Sequence, residues 1–420
     1  MNTYMQDMLL SENQVTKLQI LIDEIEQSVS KQAFEATGIL SGKAGITIFY
    51  AYLFLATQIA VYQEKMEQFL DSLIDDLNHK PLEGRFSSGI TGVGWTIQHL
   101  RNIQVIGEEY DEVLNELDIL IDQACIQFIS YKDFDLLHGY MGSGLYYLER
   151  MPRKDSNREL ETIIEELLKS GSTGSFSSDW SVIKYWGANK GKSTYNMGLA
   201  HGIPSILNFA SKTFLIGIQK EKSAQIIELA MNLCETLQNY NTGNSYFPYE
   251  VLGENFNMFF TGRMSTASRL GWCHGDMGVA CSIYRAGTAL GNEQWRKFAI
   301  EIMEKAASKR LHNAGLEDVG FCHGLASTLH IFYRFYQATG LAVFREAMSY
   351  WVDHIPSFQK SDLKESCGFL FRKSNTNDAS RIILGPKWSL LEGVVGLALA
   401  LMPHAYNIES TWDRIYLTDI

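Results

Sequence analysis

Two short stretches of this chain set a thiol beside an imidazole: Gly271-Trp272-Cys273-His274-Gly275 and Phe321-Cys322-His323-Gly324. Thiolates together with imidazoles are the ligands zinc favours. Each cysteine stands two residues before a glycine, so the two thiols occupy the same place in a local pattern. If a helix starts at that glycine, its N-terminus lowers the thiol pKa, and a metal lowers it further. Two arrangements suit the four side chains. Cys273, Cys322 and His323 could hold a metal and leave a fourth position open, as catalytic zinc sites do, or His274 could close the set as a structural site.

The composition narrows the setting. The 420 residues are 46% hydrophobic and 20% charged, enough for a large core and without the signature of disorder. A net charge of −12 argues against a nucleic-acid backbone as the main partner. Six cysteines in so long a chain are no disulfide framework, and Cys125, Cys234 and Cys281 read as small buried hydrophobes. The first residues carry no basic leader and no apolar run of the secretory kind, so a reduced, cytoplasmic protein is expected. The uncharged stretch Ala44–Gln63 imitates a membrane span, but glycine, threonine and glutamine interrupt it, and a helix buried on all sides gives the same pattern.

The elements that must position the thiols follow from an internal repeat. Seven copies of a small-residue motif begin with Gly42, Gly89, Gly139, Gly202, Gly275, Gly324 and Gly393, at spacings of 47, 50, 63, 73, 49 and 69 residues. An apolar run follows each copy, as in Ile46–Ala56 and Leu397–Leu401. Before each copy lies a segment with apolar residues three and four apart, such as Lys17–Ser30 and Val113–Ile129, the period of a helix with one wet face. Seven half-wet helices alternating with seven apolar ones pack economically as two concentric rings, an all-α, α/α-toroid fold. We expect one such domain over residues 1–420, with long rim loops near 170–195, 240–264 and 366–386, the first holding Trp180, Tyr185 and Trp186. The glycines then gather at one mouth of the barrel, bringing His138, His201, Cys273, His274, Cys322, His323 and Glu392 around one cavity.

With these motifs in this order, the whole chain resembles the lanthionine synthetase C-like family, the cyclases of lanthipeptide biosynthesis. The resemblance implies a zinc ion held by Cys273, Cys322 and His323, with a substrate thiolate or water as the fourth ligand. It implies thioether rings made by Michael addition of peptide cysteines to dehydroalanine or dehydrobutyrine. His201, in Leu-Ala-His-Gly, matches an active-site histidine, a general acid for the enolate. Asp135 matches an aspartate that removes the thiol proton or orients His201, and Arg269 an arginine bearing on the enolate or on site architecture. Each also has a plain structural reading: a core or capping histidine, a helix cap at Asp135, an ion pair of Arg269 with Asp276 or another carboxylate on the rim. His274 departs from the tyrosine that bacterial members often carry there, and either donates to the enolate or bonds a neighbouring carbonyl. No role is assigned to His138.

The leading expectation is a standalone cyclase acting on a dehydrated precursor peptide with leader and core, supplied by a separate dehydratase and working in the cytoplasm, alone or within a membrane-associated biosynthetic complex. A related transferase adding glutathione to dehydroamino acids is the second enzymatic reading, since Trp-Cys-His-Gly also occurs in eukaryotic relatives that use glutathione. A non-catalytic peptide-binding scaffold with structural zinc is the third. Glycoside hydrolysis wants a better carboxylate pair than Glu392 with Asp135, and a prenyltransferase wants a single zinc thiolate.

Overall fold

The structure, a computed structural model, describes residues 9–151, 156–171, 180–183, 190–239, 245–255, 268–373 and 383–420. Tyr185, Trp186 and much of the three long connections lie outside these residues. Among the described residues are fourteen α-helices. The outer ones are α1 (Glu12–Val29), α3 (Ala60–His79), α5 (Asp111–Ser130), α7 (Ser156–Gly171), α9 (Lys220–Thr236), α11 (Glu293–Ala307) and α13 (Ala342–Asp353). The inner ones are α2 (Lys43–Thr57), α4 (Ile90–Asn102), α6 (Tyr140–Glu149), α8 (Ile203–Leu215), α10 (Asp276–Leu290), α12 (Leu325–Thr339) and α14 (Val394–Tyr406).

Helix α1 shows how an outer helix is written. Ser11 and Gln14 form a capping box, Ser11 Oγ accepting from the Gln14 amide and Gln14 Oε1 from the Ser11 amide. Behind it Leu18, Leu21, Ile22, Ile25 and Val29 make one buried stripe. Helix α2 is buried on every side from Lys43 to Leu53. Burying each large apolar side chain is worth about 1.5–3 kcal/mol, so such a helix is stable only inside a ring of others. The membrane-like stretch therefore resolves into α2, a left-handed cap at Gln58, and the start of α3. No helix among the described residues is long and apolar enough to cross a membrane. Helix α14 packs on both α1 and α2, which closes the α/α toroid.

All seven motif glycines are N-caps of inner helices. Six have extended backbone that any residue adopts, so what they supply is space rather than a special turn. A Cβ on Gly89 would fall 1.8 Å from the Glu83 carbonyl oxygen, six residues earlier. Gly275 differs, with φ 141°.

Just before the glycines, backbone hydrogen bonds tie each loop to the next. Leu40 donates to Ser87 (3.2 Å), Ser87 to Leu137 (3.0 Å), Ala200 to Cys273 (3.5 Å), Cys273 to Cys322 (2.9 Å), Cys322 to Leu391 (2.9 Å) and Leu391 back to Leu40 (3.0 Å). Among the described residues, no such bond joins the third loop to the fourth.

The opposite end of the barrel is filled by residues 408–420. Trp412, Ile415, Tyr416 and Leu417 are fully buried there. Asp413 meets His330 and Arg334, Asp419 meets Lys212 and Arg285, and Arg414 meets Glu149, so α6, α8, α10 and α12 all grip this plug. The connections expected as rim loops contain short strands. β1 (Val182–Ile183), β2 (Ser193–Asn196) and β3 (Glu250–Leu252) form an antiparallel sheet in that order, pairing Tyr195 with Val251, and β4 (Phe371–Lys373) pairs with β5 (Ile383–Gly385).

Candidate active site

Cys273, Cys322 and His323 come together at the mouth, one ligand atom of each lying within 4.8 Å of the others. Two neighbouring loops deliver them, and the Cys273–Cys322 backbone bond fixes their spacing. Each cysteine is preceded by a fully buried aromatic, Trp272 or Phe321, and the plug reaches up to both. Trp272 Nε1 donates to the Tyr416 carbonyl at 2.7 Å, and the Phe321 and Tyr416 rings stack at 4.2 Å. The metal-ligand loops thus rest on a packed aromatic floor.

The two thiols influence each other strongly. The Cys322 thiol donates toward Cys273 and draws its pKa well below the ordinary value; burial opposes this, and His274 and His323 assist it. Cys322 retains its proton correspondingly longer, through that same bond and then burial. Asp318 stands behind His323, with 3.8 Å between its carboxylate and Nε2, and its other oxygen accepts from the Gly320 amide. At that distance Asp318 lends negative charge beside the ring rather than a hydrogen bond. Two thiols and an imidazole fit zinc. His274 is no member of the cluster. Its ring lies 6.5 Å from His201 and 5.8 Å from Tyr249, centre to centre.

Across the mouth, Asp135 and His201 bridge the third and fourth loops, where the backbone ladder has its gap. Asp135 Oδ2 lies 2.7 Å from His201 Nδ1, while Oδ1 accepts from the amides of Leu137 and His138 at 2.8 and 2.9 Å. Gly139, not Asp135, caps α6. Burial favours neutral His201, but the hydrogen bond to Asp135 and its charge outweigh this and raise the His201 pKa; Cys273 adds to the effect. Burial likewise pushes Asp135 up, and His201 more than reverses it. His138 stacks on His201 with ring centres 5.6 Å apart and meets Ser87 Oγ through Nδ1 at 3.1 Å.

Arg269 does not pair with Asp276. That carboxylate is buried and accepts from the Tyr246 and Phe247 amides at 3.0 Å. Arg269 instead lies over the Tyr249 ring at 5.7 Å, its amide donating to the Tyr249 hydroxyl, and its Nε has no hydrogen-bond partner among the described residues. Glu392 is paired with Lys387. Sequence reasoning missed Asp318, Ser87, Tyr249 and Tyr416. A signal existed for Asp318: it stands six residues before its motif glycine, as Arg269 and Asp133 do before theirs.

Residues 34–417 match the family described as lanthionine synthetase C-like protein. The chain belongs to that family. Among curated relatives, the nisin biosynthesis protein NisC of Lactococcus lactis subsp. lactis is 22% identical over 396 residues, covering 89% of this chain and 87% of that protein. Among solved structures, a nisin cyclase superposes with a TM-score of 0.77 at 20% identity, over 97% of this chain and 98% of the other. That likeness shows this lanthionine synthetase C-like chain to share the cyclase's α/α-toroid fold.

Proposed function

We propose that this protein is a zinc-dependent lanthipeptide cyclase, closing thioether rings in a dehydrated precursor peptide that a separate dehydratase supplies in the cytoplasm. The observation that carries the reading is the juxtaposition, in one mouth, of a thiol–imidazole cluster with an acid–base pair. Cys273, Cys322 and His323 would hold the metal, with His274 outside the set. Zinc held there would supply Lewis acidity able to keep a substrate thiol ionised at neutral pH.

The net reaction adds S–H across a carbon–carbon double bond. A sulfur–Cβ bond forms, the π pair moves onto Cα and its carbonyl, and a proton arrives at Cα. His201 lies close enough to Cys273 to feel its charge and is kept protonated by Asp135, so it is the acid we assign to deliver this proton. Arg269 and His274, which both lie against the Tyr249 ring, are the groups we assign to stabilise the negative charge that develops on the carbonyl oxygen. Asp135 positions His201 and holds its charge, and the thiol proton passes to solvent.

Ring closure leaves mass unchanged, so the test reads protection of peptide thiols from an alkylating reagent. Wild-type protein with a dehydrated, cysteine-bearing peptide should protect them, and Cys273→Ala or Cys322→Ala should lose zinc and protection together. Full cyclisation by a zinc-free variant would sink the proposal. His274 in place of tyrosine favours glutathione transfer as the second reading; adduct formation on a dehydrated protein supplied with free glutathione, without ring closure, would select it.

A further inference from the structure

The mouth contains a second group with metal-ligand chemistry and no sulfur. One ligand atom from each of Asp135, His138 and His201 lies within 4.8 Å of the others. All three are only partly buried, so a hydrated cation reaches them from solvent. We propose that this trio is a second divalent-cation site, weaker than the thiol site, whose occupancy shuts the enzyme down. The inhibitory half rests on the cyclase reading above; the binding half does not.

The local hydrogen bonds prepare two of the three ligands. Asp135 is pinned through Oδ1 by two backbone amides, leaving Oδ2 for the mouth. His138 is anchored through Nδ1 by Ser87 Oγ. With the proton of the neutral ring on Nδ1, Nε2 keeps its lone pair for a metal, the arrangement typical of metal-binding imidazoles. His201 Nδ1 and Asp135 Oδ2 are held 2.7 Å apart by the proton they share. Metal–ligand bonds of about 2.0–2.2 Å set adjacent ligands about 3 Å or more apart, so the pair opens slightly as a cation binds and the shared proton leaves to solvent. Asp133 adds favourable negative charge near His138, while Arg85 opposes it.

Imidazole with carboxylate suits zinc, cobalt, nickel, iron(II) or manganese, whereas the thiol site selects softer ions. A metal in the second site would hold the Asp135–His201 pair without its proton, the state in which His201 has nothing to give the α-carbon. His138 is therefore a ligand of the inhibitory ion rather than part of the reaction.

The probe is Co²⁺ alone, titrated into the metal-free full-length protein. The first equivalent should give intense thiolate-to-cobalt absorption. A second should add only the weak bands of nitrogen and oxygen ligation. In His138→Ala the second should weaken by at least about 10- to 100-fold, the loss that even an outer-sphere partner's removal brings. The unchanged thiolate band shows that the variant is folded, and Ser87→Ala should weaken the second site alone by about tenfold. A second equivalent bound equally well by His138→Ala, or none bound by wild type at a hundredfold excess of Co²⁺, overturns the proposal. Where cyclisation is observed, excess metal should inhibit wild type and spare His138→Ala; equal inhibition of both refutes the inhibitory half while the binding result stands separately.

Discussion

Three histidine–carboxylate pairs of nearly equal length sit in different parts of this molecule. His201–Asp135 lies at the mouth at 2.7 Å, and His99–Glu149 and His330–Asp413 lie in the barrel interior at 2.8 and 2.7 Å. The mouth pair is 33% and 20% exposed, while His330 and Asp413 are both at 0%. The greater difference lies in the surrounding charges. Arg334 also grips Asp413 and Arg414 also reaches Glu149, so those carboxylates already answer a permanent cation. Burial then leads for His330 and lowers its pKa, whereas Asp135 has no arginine bonded to it among the described residues and raises the pKa of His201. The same kind of pair is a strut where a guanidinium shares the carboxylate, and holds a readily protonated imidazole at the mouth, where Asp135 bonds His201 and no guanidinium among the described residues.

The sharpest way to test that contrast is to remove one carboxylate from each place. Asp413→Ala strands Arg334 and His330 in the interior and should cost about 3–5 kcal/mol in denaturant unfolding. Asp135→Ala should leave the unfolding midpoint close to wild type. Next in size, His201→Asn should slow ring closure by about a hundredfold or more while zinc content stays unchanged; in contrast, His99→Asn should alter stability and leave the rate of the folded fraction intact.

The pH dependence should run in opposite directions. Glu149 is buried, but His99 and Arg414 bring its pKa down to about 2 from an ordinary 4.5. Its contribution to stability is complete above about pH 4.5 and fades as the pH falls toward 2. His201 is raised above 6.5, so its proton is secure below that value and the rate should fall as pH rises through the elevated pKa. Asp135→Asn should move that fall to lower pH, visible in a rate profile. The smallest effect is expected from Arg414→Gln, whose partly exposed contact with Glu149 should be worth under about 1 kcal/mol.

The fold was legible because the glycine spacing and the two hydrophobic periods point to the same alternation of helices. The mouth was legible because its residues keep one phase relative to those glycines, as Cys273 and Cys322 do. What escaped depends on contacts between distant segments. Tyr416 stacks on Phe321 and accepts from Trp272 Nε1, partners 95 and 144 residues away in sequence, and no period marks them. The strands β1 to β3 are two to four residues long and pair across two connections, too short to show alternation. Nothing adjacent to His201 or His330 in sequence tells which one shares its carboxylate with arginine.

The plug of residues 408–420 fills the barrel from its far end up to the metal-ligand loops, so the barrel is no tunnel. A peptide cannot be drawn through it from one end to the other; what enters at the mouth must leave by the mouth. On the proposed cyclase reading, each new ring requires the peptide to withdraw from the mouth, shift along its own length and return. The order of closure would then follow which segments the peptide presents to the mouth first.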